Sequence, residues 1–120
     1  MANSDHKKTW SITLTGSDDN TITFPADLLE VQLFPLWGVA RTKQVCHDDN
    51  LGELVNVHDY DLKICTFLTM KNDKDGNFKL CSWGTILDRR QFKKGDTIEF
   101  WWEKRDSRLN FQHLVMSLVP

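Results

Sequence analysis

Short apolar runs alternate with polar residues and are cut every few positions by turn chemistry, which leaves this chain little but a sheet to fold into. In Trp10-Ser11-Ile12-Thr13-Leu14-Thr15 the apolar residues Trp10, Ile12 and Leu14 share one face of a strand. Gly16-Ser17-Asp18-Asp19-Asn20 is a turn, because these residues accept positive φ or bond their own backbone. Residues 21–24 form a second short strand closed by Pro25. Further strands are expected over residues 53–58, 62–70, 78–81, 97–102 and 109–118, and residues 37–41 open another. Two short helices are expected, over residues 25–30 and from Trp83 to Leu87 or Arg90. Proline is tolerated in the first turn of the former, where its missing N–H costs nothing. The reading is all-β with minor α: about seven strands, joined by short turns that favour antiparallel pairing, curled to hide the sheet edges. Leu14, Phe24, Leu28, Phe67, Leu80, Ile98, Phe100 and Val115 make the expected core. Each contributes roughly 1.5–3 kcal/mol if fully buried.

A chain of 120 residues holds one such core. Residues 1–8 read as a flexible N-terminal tail and 9–120 as a single domain. No stretch reaches the ~18 apolar residues of a membrane span. The start lacks an apolar segment and a cleavage signal, which argues against secretion. Cys46, Cys65 and Cys81 are odd in number and widely spaced, so a reducing nucleus or cytosol is expected, without a disulfide framework. The net charge of −2 does not announce a polyanion-binding protein, yet the charge is uneven. Residues 1–60 are acid-rich, whereas residues 61–120 hold most of the lysines and arginines, enough for a mild positive field on one part of the surface.

Enzyme chemistry finds no support. Zinc needs close pairs of thiolates or imidazoles, and the chain has neither C-x-x-C nor H-x-x-x-H. All three cysteines lie in or beside apolar runs, where Cys is expected to behave as a small buried hydrophobe. There is no G-x-S-x-G elbow and no glycine-rich phosphate loop. The carboxylate pairs Asp18-Asp19 and Asp48-Asp49 sit in turns, where aspartate serves the backbone. No enzyme, metal or cofactor is expected.

Three segments in order do carry a resemblance. They are Leu14-Thr15-Gly16-Ser17-Asp18 with Phe24-Pro25, then Phe78-Lys79-Leu80-Cys81-Ser82-Trp83, then Phe92-Lys93-Lys94-Gly95-Asp96-Thr97-Ile98-Glu99-Phe100. Together with the closing Leu109-Asn110-Phe111-Gln112-His113-Leu114-Val115, they make the chain resemble the plant B3 DNA-binding domain superfamily, closest to its divergent B3-like branch. The resemblance spans residues 10–116 and implies a seven-stranded open pseudobarrel with two short helices.

It also implies a nuclear, plant transcriptional regulator that reads the major groove of double-stranded DNA with two arms. The N-terminal arm falls on residues 15–21 and supplies Thr15, Ser17 and Asn20. The C-terminal arm falls on residues 71–79, with Lys71, Lys74 and Lys79 facing phosphates and Asn72 and Asn77 facing base edges. Lys63, Arg89 and Arg90 are looser backbone candidates. The chain departs from the family pattern at Ile12 and Ala26, where basic residues are usual, and it carries Asp18 and Asp19 in the first arm. The acidic first half, with five tryptophans and an adjacent Trp101-Trp102 pair, supports a runner-up alternative: a B3-like barrel that no longer binds DNA and holds a protein partner or a second copy.

Overall fold

The computed structural model describes residues 9–15, 21–46, 52–73 and 76–114. Its strands are β1 (Thr9–Thr13), β2 (Thr21–Phe24), β3 (Glu53–Asp59), β4 (Ile64–Asn72), β5 (Phe78–Cys81), β6 (Thr97–Glu103) and β7 (Arg108–Leu114). Helices α1 (Ala26–Gln32), α2 (Phe34–Trp37) and α3 (Val39–Cys46) connect β2 to β3, and α4 (Gly84–Arg90) connects β5 to β6. The seven strands form one sheet in the order β1-β6-β7-β3-β4-β5-β2, curled into a nearly closed barrel with β1 and β2 as its edges. The seven-stranded barrel matches the expectation.

Two details differ. Antiparallel pairing throughout was expected, but β3 and β7 run parallel over Val57↔Leu109 to Asp59↔Phe111. These strands are far apart in the chain, so no tight turn dictates their direction. The described residues also hold four helices rather than two. The expected strand over residues 37–41 is the joint between α2 and α3. Gly38 takes φ 96° there, and its carbonyl accepts both the Thr42 N–H (3.1 Å) and the Thr42 hydroxyl (2.8 Å), which starts α3. The expected helix at residues 25–30 is α1, with Pro25 extended at its N-cap rather than inside it.

The core is aromatic. Phe24 lies edge-on to both Trp10 and Phe100 (5.9 and 5.1 Å), and Trp83 packs against Phe111 at 5.4 Å. Leu14, Phe24, Leu80, Ile98 and Phe100 are buried as expected, and Leu28 packs on the core partly buried. Val115 lies outside the described residues. Phe67 is a correction: it is 62% exposed. The two-residue period of β4 turns Leu68 and Met70 inward, so Phe67 faces out. The cysteine expectation is also corrected, since Cys46 and Cys65 are exposed and Cys81 is half-buried; all three are free. Of the tryptophan pair, Trp102 faces inward against Trp37 (6.0 Å), while Trp101 faces outward beneath the edge of Tyr60 (5.3 Å).

Two polar networks tie the barrel. On the outer face, Asn110 donates from Nδ2 to Glu103 (3.0 Å), so its Oδ1 accepts from His58 Nδ1 at 2.7 Å. Arg108 Nε also donates to Glu103 (2.8 Å). The Asn110 amide first, then Asp106 and Arg108, hold the Glu103 carboxyl down at about 2 against desolvation. A carboxyl depressed in the folded state gives stability that is present above its unfolded value of roughly 4.3 and lost as pH falls through the folded value. Urea midpoints should therefore drop between about pH 4 and pH 2. Glu103→Gln should flatten that part of the profile.

At the end of β3, Asp59 is fully buried. Its Oδ1 accepts from Arg90 Nη1 (2.7 Å) and from the backbone N–H groups of Asp61 and Leu62 (both 3.0 Å). Arg90 also donates to Asp61 (3.0 Å) and lies over the Phe92 ring at 4.7 Å. Burial works against the Arg90 charge, but the hydrogen bonds to Asp59 and Asp61 outweigh it and hold the guanidinium protonated.

Candidate nucleic-acid interface

Strand alternation decides which side chains of β2, β5 and β4 leave the barrel. Inward go Ile22 and Phe24, Phe78 and Leu80, Leu68 and Met70. Outward go Thr21 and Thr23, Lys79 and Cys81, Thr69 and Lys71. The register then sets them in rows. Thr23 pairs with Lys79 and Lys79 with Lys71, while Thr21 pairs with Cys81 and Cys81 with Thr69.

The first row places two ammonium groups on directly opposed residues, with Cβ atoms roughly 5 Å apart, an arrangement that destabilises a sheet by itself. Neither lysine forms an ion pair with a carboxylate among the described residues. Gly52 fixes the direction of Lys71. It has φ 77°, and a Cβ there would stand 2.6 Å from the Met70 carbonyl and 2.7 Å from Lys71 Cγ. The Gly52 backbone therefore lies against the lysine stem, and its carbonyl is held by Gln44 Nε2 at 3.2 Å. Gly52→Ala should cost about 1–3 kcal/mol from the strained backbone alone, read as a fall in melting temperature.

Two connections lead into β2 and β5. The β4–β5 hairpin closes through Asp73, whose N–H donates to the Asn77 carbonyl (2.8 Å) and whose Oδ1 accepts the Asn77 N–H (3.1 Å). Gly76, at φ 86°, completes the bend. The connection from β1 to β2 leaves the sheet after Leu14. The Leu14 N–H donates to the Asp96 carbonyl (2.8 Å), and its carbonyl accepts the Gly95 N–H (2.9 Å). Asp96 in turn accepts the Lys93 N–H at 3.0 Å. The Lys93-Lys94-Gly95-Asp96 turn thus clamps the base of the first connection and sets exposed Lys93 and Lys94 near exposed Thr15. The two connections meet β2 and β5 at opposite ends of a four-residue ladder, roughly 10 Å apart along the strands.

The expected contact residues are therefore not all gathered in one place. Lys71 and Lys79 share the outer face and Asn77 stands at its hairpin end, whereas exposed Thr15 follows Leu14 beside the Gly95-Asp96 turn. Asn72 faces inward beside Met70 and donates from Nδ2 to the Val45 carbonyl (3.2 Å), joining β4 to α3. Ser17, Asn20 and Lys74 lie outside the described residues. Of the looser candidates, Arg90 belongs to the buried pair described above. Arg89 donates to Thr66 (3.1 Å), and Lys63 sits 3.7 Å over the Tyr60 ring. Sequence reasoning used Lys93 and Lys94 only as a motif. Their nearness to the first connection follows from a backbone pairing with Leu14 that no local pattern encodes.

This barrel, with α4 between β5 and β6, is a B3-type pseudobarrel. Arabidopsis FUS3 in complex with DNA superposes with a TM-score of 0.67 at 15% identity, over 90% of this chain and 97% of that one. The Arabidopsis thaliana transcription factor LEC2 in complex with DNA gives 0.64 at 18% identity, over 91% and 96%. The hypothetical Arabidopsis thaliana protein At1g16640.1 gives 0.62 at 12% identity, over 99% and 100%. Residues 9–114 match the family described as B3 domain-containing protein At5g26805, C-terminal domain, and the chain belongs to that B3 family.

Proposed function

We propose that the chain binds double-stranded DNA with the outer face of β2, β5 and β4, as a plant nuclear regulator of transcription, and is not an enzyme. The observation that carries the reading is the Lys71–Lys79 pair, held side by side at a cost to the sheet. A phosphate placed over both ammonium groups would remove their repulsion. The strand ends from which the two connections leave lie roughly 10 Å apart, on the scale of a major groove about 12 Å wide. In this reading Lys71, Lys79, Lys93 and Lys94 meet the backbone and fix register. Thr15, Ser17, Asn20, Lys74 and Asn77 stand near phosphates or base edges, and Asn72 holds the second arm against α3. Two of the similar structures are DNA complexes, which supports the choice of partner.

Binding through phosphates is salt-dependent, because each neutralised phosphate releases counterions. With about 5 phosphates neutralised, affinity for a mixed-sequence duplex should fall roughly 500-fold between ~50 and ~200 mM salt. Fluorescence anisotropy measures this directly. No binding at the lower salt, or an affinity indifferent to salt, would refute the proposal.

A further inference from the structure

A thiol, an imidazole and an amide stand in one row on the outside of the barrel. In the sheet order β7-β3-β4, His58 pairs with Asn110 on one side and with Cys65 on the other. Directly opposed residues share a face, with Cβ atoms roughly 5 Å apart. Cys65 is exposed and its thiol is free, whereas His58 is only 6% exposed. Asn110 spends its Nδ2 on Glu103, so its Oδ1 takes the proton-bearing Nδ1 of His58 at 2.7 Å. That bond sets the neutral tautomer, with a lone pair on Nε2. It also aims the ring: with the Nδ1 edge turned to β7, the Cδ2–Nε2 edge faces β4 and Cys65. No hydrogen bond among the described residues uses Nε2. Arg108, two residues before Asn110, lies close enough for its guanidinium and a Cys65 thiolate to attract each other. Cys65 precedes Lys71 by six residues, roughly 20 Å along the strand, and lies beyond the Thr69–Asn72 stretch of β4 that β5 pairs with.

We propose that Cys65 is a covalent modification site that exchanges with low-molecular-weight anionic disulfides of the glutathione class, with His58 as its base and Asn110 positioning the imidazole. A nucleophilic thiol needs a base within reach and a third group that orients the base, and the row supplies them in that order. The exchange balances without a further reagent. The Cys65 proton passes to Nε2, and Sγ attacks one sulfur of the disulfide. The S–S bond breaks, and the departing thiolate takes the proton from the imidazolium. Cys65 is oxidised to a mixed disulfide, and the other half of the reagent leaves as a thiol. Reactive thiols sit in partly exposed, electropositive surroundings, and Arg108 supplies the positive charge that also favours an anionic reagent. The other two cysteines lack this setting. Burial and the nearby Glu30 carboxylate push the Cys46 thiol up, which withholds its thiolate. Cys81 is half-buried, with Sγ 4.0 Å from the Lys79 carbonyl. The modification does not depend on DNA binding.

Timed incubation of the full chain with millimolar glutathione disulfide near neutral pH, without DNA, followed by acid quench and peptide mass spectrometry, decides the matter. The adduct should form on Cys65 at least ~10-fold faster than on Cys46 or Cys81. Cys46 or Cys81 reacting first, or all three reacting alike, overturns the proposal, and this comparison within the wild-type chain needs no variant. His58→Gln keeps a donor for Asn110 and removes the base. It should slow Cys65 by at least ~10-fold while the Cys46 rate stays put, whereas a general loosening of the fold would speed all three thiols. Asn110→Ser frees the ring and should lower the Cys65-to-Cys46 rate ratio in the same sense. Melting curves establish that each variant is folded. A folded His58→Gln chain whose rate ratio matches the wild type overturns the role of His58 and with it the proposal.

Discussion

Replacing Lys71 and Lys79 together by alanine is expected to weaken duplex binding about 100-fold at low salt, roughly tenfold for each ammonium–phosphate bond removed. The slope of log affinity against log salt should become shallower by about two. The same variant should be more stable than the parent, because like charges on directly opposed residues cost a sheet up to about 1 kcal/mol. Opposite signs in the two measurements distinguish a binding pair from a structural one. A structural pair would lose stability along with affinity. Lys63→Ala is the control, since that ammonium sits over Tyr60 rather than on the proposed face. If the double alanine variant binds DNA as well as the parent, the β2-β5-β4 face is not the contact surface. The effect should also be uniform across duplex sequences, because phosphate contacts position the protein without reading bases.

Arg90→Met should be the most damaging single change to folding, at about 3–5 kcal/mol in urea unfolding. The substitution strands the carboxylate of Asp59, which has no exposure to water and whose Oδ2 already lacks a hydrogen-bond partner. The double variant Asp59→Asn, Arg90→Met should recover a large part of the loss. An amide oxygen still serves the N–H groups of Asp61 and Leu62, and no charge is left buried. A double variant as unstable as the single one would mean that Arg90 matters for its packing over Phe92 and not for its charge.

Strands with clean alternation were legible because one buried face needs nothing beyond the local period. Trp10, Ile12 and Leu14 show this. Strand β4 was harder. Its run Phe67-Leu68-Thr69-Met70 offers an apolar residue to either face, and only the partners Val55 and Leu80 across the register make Leu68 and Met70 the inner pair. The α3 helix hid behind Trp37 and Val39, residues that favour strands, while its start depends on the positive φ of Gly38. The parallel β3–β7 ladder is a product of topology, which no short window contains. For the candidate surface, sequence supplied the lysines and the resemblance supplied the arms. The pairing of Lys71 with Lys79, the cover of Gly52 and the inward turn of Asn72 are consequences of register and packing.

Both free margins of the sheet, β1 and β2, come from the first 24 residues. A fragment starting at Pro25 would strip them away and bare the hydrogen-bonding edges of β6 and β5, long enough to recruit strands from other molecules. Shortened forms of this protein that lack β1 and β2 should therefore clump rather than persist as smaller working barrels, so a truncation that reaches those strands is a switch toward insolubility.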